Sequence, residues 1–253
     1  MDITKKKIIF IDLDGTLIDT ASGKIFPEGV WDMRFRLKVF AQLKKLHPLA
    51  VFIVSNQGGI ELGHVHPAIF QPKFIYVIAS LQSFVGLNTL VAGQFCPYND
   101  RNNQDRKPNT GMLDKMLKEF YDNSGINVEK DDCLMIGDAS GLEEQFSSSD
   151  MKTAENFGCD YLDVYEFEKM TLPEPLFKVI EVHSGEVVTG EDGILLERLL
   201  ENEAIEKITA LQQFSFSQEM RYTYVPQLWI KPLKLNSTEQ PQQKGKILKM
   251  KQK

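Results

Sequence analysis

Apolar and polar positions along this chain fall into blocks with different periods. Residues 7–13 form a short β-branched apolar run that stops at an acidic, glycine-bearing turn, the pattern of a buried strand feeding a loop. Residues 17–27 alternate loosely around Ser22-Gly23 and predict a small hairpin or flap. Apolar positions at 31, 35, 39, 40, 43 and 46 keep a helical rhythm until His47-Pro48 stops it. A second apolar run over 49–54 predicts a strand ending at Ser55-Asn56-Gln57-Gly58-Gly59. Helices are predicted over 67–85, over 110–121 with Thr110 as cap, and over 149–157, with strands over 89–92, 133–136 and 161–164. Strands alternating with helices predict a parallel sheet covered on both faces, which gathers ligands beyond the carboxyl ends of its strands.

After about residue 170 the texture changes. Residues 177–182 and 186–189 predict a hairpin, 194–211 a Glu- and Leu-rich helix, and 221–235 strands broken by Pro226 and Pro232. From 236 onward the chain is rich in Gln, Lys and Pro and predicts a disordered tail. The expected organisation is an α/β domain over 1–170, a C-terminal α+β extension or small subdomain over 171–235, and a basic tail over 236–253.

Composition adds limits. The 253 residues are 42% hydrophobic and 25% charged, enough for a real core. No run approaches the roughly 18 apolar residues of a membrane span, and the N-terminus lacks a signal-peptide core. Cys96, Cys133 and Cys159 are far apart, with no CxxC, so neither a disulfide framework nor a zinc cluster is expected. The expected setting is intracellular, cytoplasmic or nuclear, without a membrane. The net charge of -6 is uneven: residues 1–170 hold 18 basic against 24 acidic side chains, 171–235 hold 6 against 10, and 236–253 hold 5 against 1.

Three predicted strand ends carry polar, glycine-rich sequences. Asp12 and Asp14 flank one residue, and both carboxylates can lean toward one spot as the chain turns at Gly15. One could bind a divalent cation and attack an electrophile while the other shuttles a proton; the alternative is a plain turn. Ser55 and Asn56, with the amide of Gln57 and the glycines, make a neutral donor cluster suited to phosphate oxygens, or an ordinary polar turn. Arg106-Lys107-Pro108 precedes a helix and could present a fixed cation, or merely a solvated one. Asp138, after Gly137, could complete an oxygen ligand set for Mg²⁺, or cap a helix.

The order Asp12-Leu13-Asp14-Gly15-Thr16, then Ser55-Asn56, then Lys107, then Gly137-Asp138 resembles the haloacid dehalogenase superfamily of phosphohydrolases over roughly residues 5–168. The resemblance implies a Rossmann-like fold in which Asp12 is the nucleophile forming an aspartyl-phosphate and Asp14 is the acid and base. It implies Ser55 and Lys107 on the phosphoryl oxygens, and Mg²⁺ held by Asp12, the Asp14 carbonyl and Asp138. Asp150 is implied behind Lys107 or a metal-bound water. Cap domains usual in that superfamily have little room here, since 38 residues separate Thr16 from Ser55. A capless, open mouth favours a large substrate.

In detail the chain resembles polynucleotide 3′-phosphatases, in the stretches FIDLDGTLIDTASGKIFP, VSNQGGI, RKPNTGM, and IGDASG followed by FSSSDMKTAENFG. That family acts on DNA ends bearing a 3′-phosphate, which implies a role in DNA repair. Thr16, Thr20, Ser22, Lys24, Asn56 and Arg106 are then the candidate substrate contacts, with a bare hairpin turn as the alternative for Ser22 and Lys24. No GxxxxGK[ST] occurs, so 5′-kinase activity is not expected. Residues 171–235 could bind a protein partner, extend the fold or contact DNA. Two other functions stay open. One is a capless small-molecule phosphatase of the histidinol-phosphate or heptose-bisphosphate type, which shares SNQGG and RKPNTG. The other is a catalytically idle binding scaffold.

Overall fold

The computed structural model describes residues 1–24, 26–143, 145, 147–181, 184, 186–189, 195–213 and 222–226; the expected tail over 236–253 lies outside the described residues. In chain order the first half contains β1 (Ile8–Ile11), β2 (Ile18–Thr20), β3 (Met33–Phe35), α1 (Leu37–Leu46), β4 (Ala50–Asn56), α2 (Pro67–Val85) and β5 (Leu90–Cys96). It continues with α3 (Gly111–Ser124), β6 (Cys133–Gly137), α4 (Ser149–Phe157), β7 (Asp160–Asp163), α5 (Val164–Lys169), β8 (Phe177–Glu181), α6 (Glu201–Gln213) and β9 (Tyr222–Pro226).

Five strands form one sheet in the order β5-β4-β1-β6-β7, every pairing parallel. β1 is central and buried at all four positions. Its odd side chains, Ile9 and Ile11, join Val51, Ile53, Leu134 and Ile136 under α1, α2 and α5. The even ones, Ile8 and Phe10, join Phe52, Val54 and Met135 under α3 and α4. Covering both faces is why these strands read as unbroken apolar runs rather than alternating ones. The loops after β1, β4, β5 and β6 all leave the same carboxyl edge, and this edge builds the site.

Several elements differ from expectation. The helix predicted from 31 begins only at Leu37, because Met33–Phe35 pairs antiparallel with Ile18–Thr20 and closes the flap hairpin. β5 runs to Cys96, along β4 to Asn56, and so is longer than predicted. The last strand of the sheet stops at Asp163, whose carboxylate caps α5 by accepting from the Tyr165 N–H at 2.9 Å. Thr110 precedes α3 without a side-chain cap bond; its hydroxyl instead donates to Asp114 at 2.6 Å. Residues 177–181 and 186–189 meet as the expected hairpin, through the antiparallel Ile180–Val187 bridge with Glu181 N–H donating to the Glu186 carbonyl and Val188 N–H to the Val179 carbonyl, both at 3.0 Å, while the longer partner of β8 is β9. The helix predicted from 194 starts at Glu201, after Arg198 takes a left-handed φ of 57° that a continuing helix does not admit.

By length and composition α2 is the one helix among the described residues that could cross a membrane, although Gln71, Lys73, Ser80 and Gln82 interrupt its apolar run. Here it lies on the sheet, with Phe70, Phe74, Val77, Leu81 and Val85 in the core. The three cysteines are free thiols, and burial pushes Cys133 up to about 12. In the C-terminal unit Phe177, Val179, Leu196 and Ala204 make a small separate cluster. It meets the sheet domain where the Phe177 ring stands edge-on to His47 with centroids 5.0 Å apart.

Candidate active site

A cavity of about 1040 Å³ opens over the carboxyl edge of the sheet. Asp12 follows β1 directly, its N–H donating to the Ile136 carbonyl at 2.9 Å as though the strand continued. The chain then turns at Gly15, whose φ is 82°. A Cβ there would stand 2.1 Å from Asp138 Oδ2, so only glycine lets this turn lie against the end of β6. Gly137 is needed for the same reason, since its Cβ would meet Asp150 Oδ2 at 2.1 Å.

Lys107 is the hub. Its buried ammonium donates to Asp12 Oδ1 at 2.5 Å and to Asp150 Oδ1 at 2.6 Å. Burial works against its charge, but the two facing carboxylates outweigh burial and raise its pKa. Asn56 holds the Lys107 backbone from both sides, accepting from its N–H at 2.8 Å and donating to its carbonyl at 2.9 Å. Both polar atoms of that amide are therefore spent on protein.

The Asp14 carboxylate is gripped at both oxygens. Gln57 Nε2 donates to Oδ2 at 2.7 Å and Lys73 Nζ to Oδ1 at 3.1 Å. The same Gln57 nitrogen donates to Ser55 Oγ at 2.8 Å. With its oxygen accepting from Gln57, Ser55 keeps its own hydroxyl proton to donate into the cavity it lines.

Asp12, Asp138 and Asp150 each offer a carboxylate oxygen within 4.8 Å of the others. Burial, with the neighbouring Asp150 and Asp138 charges, pushes the Asp12 carboxyl well above the usual carboxylate range against the pull of Lys107. Asp138 is pushed up to about 6, chiefly by burial and then by Asp150. Three clustered carboxylates against one ammonium leave an excess of negative charge among hard oxygen donors. That is a fit for a divalent cation such as Mg²⁺. Asp150 thus stands inside the acidic cluster as well as behind Lys107.

The structure gathers Asp12, Asp14, Ser55 and Asn56 with Arg106, Lys107, Asp138 and Asp150 on the cavity wall. Thr16, Thr20, Ser22 and Lys24 do not line it. Thr16 is fully buried, with no hydrogen-bond partner for its hydroxyl. Thr20 and Ser22 shape the flap: Thr20 Oγ1 donates to the Lys24 carbonyl at 2.7 Å and Ser22 Oγ to Asp32 at 2.9 Å. Lys24 is exposed and pairs with Glu28 at 2.5 Å. The part of the flap that faces the cavity is 26–29. Arg36 ties the turn to α5, donating to the Gly15 carbonyl at 2.6 Å and to both oxygens of Glu168 at 3.1 and 2.9 Å. Lys73, Arg101 and Lys152 also line the cavity and were not singled out from the sequence. For Lys73 a signal existed, since it is the single charge in the 19-residue α2.

A parallel sheet of this order, with acids after its central strand, a serine and a third acid at neighbouring strand ends and a lysine just before α3, is the arrangement that the resemblance to haloacid dehalogenase-type phosphatases implied. The polynucleotide kinase 3 phosphatase family model matches residues 7–167, and the chain belongs to that family. The bifunctional polynucleotide phosphatase/kinase of Schizosaccharomyces pombe is 32% identical over 159 residues, which is 62% of this chain and 36% of that protein. Polynucleotide 3′-phosphatase ZDP of Arabidopsis thaliana is 28% identical over 173 residues, 64% of this chain and 24% of that one. The chain thus spans well under half the length of both relatives. The histidine biosynthesis bifunctional protein HisB of Campylobacter jejuni is 26% identical over 219 residues, covering 85% of this chain and 57% of that protein.

Proposed function

We propose that this chain is a Mg²⁺-dependent polynucleotide 3′-phosphatase that clears phosphate from DNA ends in intracellular repair, through an aspartyl-phosphate on Asp12. The observation that carries this is the charge of the cavity wall. Lys73 and Lys107 are matched to carboxylates, but Arg101, Arg106 and Lys152 line the same cavity with no ion-pair partner among the described residues. A phosphomonoester needs one anion site, whereas a polynucleotide end brings backbone phosphates to further cations. The names of the yeast and Arabidopsis relatives point the same way.

In the proposed reaction the terminal phosphate enters with its phosphorus facing Asp12. Oδ1 is held by Lys107, leaving Oδ2 to attack. As the new P–O bond forms, the bond to the 3′-oxygen breaks, and Asp14 delivers a proton to that oxygen, releasing a 3′-hydroxyl. Asp14 then takes a proton from water as the water oxygen attacks phosphorus. The P–O bond to Asp12 breaks and inorganic phosphate leaves. Ser55 and the remaining N–H of Lys107 hold phosphoryl oxygens, so that positioning does most of the work. Asp12, Asp138 and Asp150, with the Asp14 carbonyl, would hold Mg²⁺, which neutralises charge on the transferring group. Asn56 acts by fixing Lys107, and Thr20 and Ser22 by fixing the flap.

The similarity to HisB gives the small-molecule alternative its footing, and one panel separates the two. Phosphate release with Mg²⁺ is measured from a 3′-phosphorylated oligonucleotide, histidinol phosphate and heptose bisphosphate. We expect kcat/KM for the oligonucleotide to exceed the others by about 100-fold or more. Preference for a small molecule, or no release from any, overturns the proposal.

A further inference from the structure

α2 is a helix of 19 residues whose only charged side chain is Lys73. That lysine is 3% exposed, among Phe70, Phe74 and other core residues, and its Nζ stands 5.2 Å from the centre of the Phe70 ring. Taking an ammonium out of water this far is costly, and an apolar side chain would fill the same place without that cost. The charge emerges at one point, the Asp14 carboxylate, 3.1 Å away across 59 positions of sequence.

We infer that Lys73 is a positioning residue for Asp14, holding its carboxylate in the orientation from which it exchanges a proton with the leaving oxygen and the attacking water. This rests on the function of Asp14 proposed above. Two donors from different elements, Lys73 on α2 and Gln57 after β4, each take one oxygen of Asp14. One donor would leave the carboxylate free to rotate about its Cβ–Cγ bond. Two fix its plane and therefore the direction of its remaining lone pairs. Lys107 performs the matching task for Asp12, which gives the two acids separate cations. Gln57 extends the brace to Ser55 through the same nitrogen. The nucleophile is thus held from the β5 side of the sequence and the proton-handling acid from α2.

The test compares two substrates of different leaving group in the Lys73→Met enzyme. Loss of Asp14 orientation should lower kcat for a 3′-phosphorylated oligonucleotide by about 100-fold, with KM within about threefold of the parent. The first-turnover burst of nitrophenolate from p-nitrophenyl phosphate should stay nearly unchanged, because that leaving group needs no proton. Lys73→Ala should regain oligonucleotide turnover on addition of a small alkylammonium ion, which guards against a variant that folds poorly. An equal loss on both substrates, a raised KM with unchanged kcat, unchanged turnover, or absence of amine rescue would each overturn the inference. Asp12→Asn is measured alongside. If it keeps its burst, the underlying mechanism has failed; if it is silent while Lys73→Met behaves as the parent, only the inference on Lys73 has failed.

Discussion

At the scale of single residues, the site is made by what cannot be added as much as by what is present. Gly15 and Gly137 lie against carboxylates that a methyl group would displace, and Gly15 also needs a left-handed backbone. Gly15→Ala should cost roughly 1–2 kcal/mol in stability from the backbone alone. By pushing Asp138 aside it should also lower activity on the order of 100-fold. Urea unfolding and phosphate release on the same preparation separate the two effects; normal turnover in Gly15→Ala would show that Asp138 need not sit where it does. The polar residues divide sharply by use. Asn56 spends both amide atoms on the Lys107 backbone, while Ser55 accepts from Gln57 and keeps a proton in hand.

At the scale of elements, the three central strands β1, β4 and β6 were legible because each is buried, writes an unbroken apolar run and ends in a polar loop. The spans 67–85 and 149–157 match α2 and α4 to the residue. Short elements were not legible: Met33–Phe35 is three residues long and keeps helical spacing by coincidence, and α5 is a six-residue helix fixed by one cap. Asp12, Asp14, Ser55 and Asp138 could be found because each sits at a strand end beside glycine or another polar residue, and Lys107 because it stands between Arg106 and Pro108 just before a helix. Lys73 could not be placed, since its partner is distant in sequence and the helix carrying it reads as core. Another element-scale feature is His47 at the end of α1, in a left-handed conformation against Phe177. Burial holds its pKa below the usual 6.5, with Glu201 opposing and Lys44 assisting. The unfolded chain therefore takes up the proton more readily, so the stability from a neutral His47 is present above 6.5 and lost as pH falls below it. Denaturant midpoints should drop between about pH 7.5 and about pH 5.5, and drop less in His47→Asn, which tolerates the same backbone. An identical drop in both proteins would remove His47 from the account.

At the scale of the whole molecule, an acidic chain of net charge -6 carries a cavity lined by three cations with no ion-pair partner among the described residues and by three clustered acids. Net charge therefore says little about what the cavity accepts. A bound divalent cation would offset those acids, and a chain end requires few backbone contacts compared with a protein that coats a duplex. Among the described residues only a small flap and α1 occupy the stretch between β1 and β4, and the proposed function requires that the mouth there admit a long substrate. The most direct measurement mixes the protein and Mg²⁺ with an oligonucleotide whose 3′-phosphate is radiolabelled, and quenches in acid within one turnover. Label should pass to the protein as an acyl phosphate cleaved by hydroxylamine, map to Asp12, and be absent from Asp12→Asn. Phosphate release with no protein-bound label, or equal release by Asp12→Asn, would contradict an aspartyl-phosphate on Asp12.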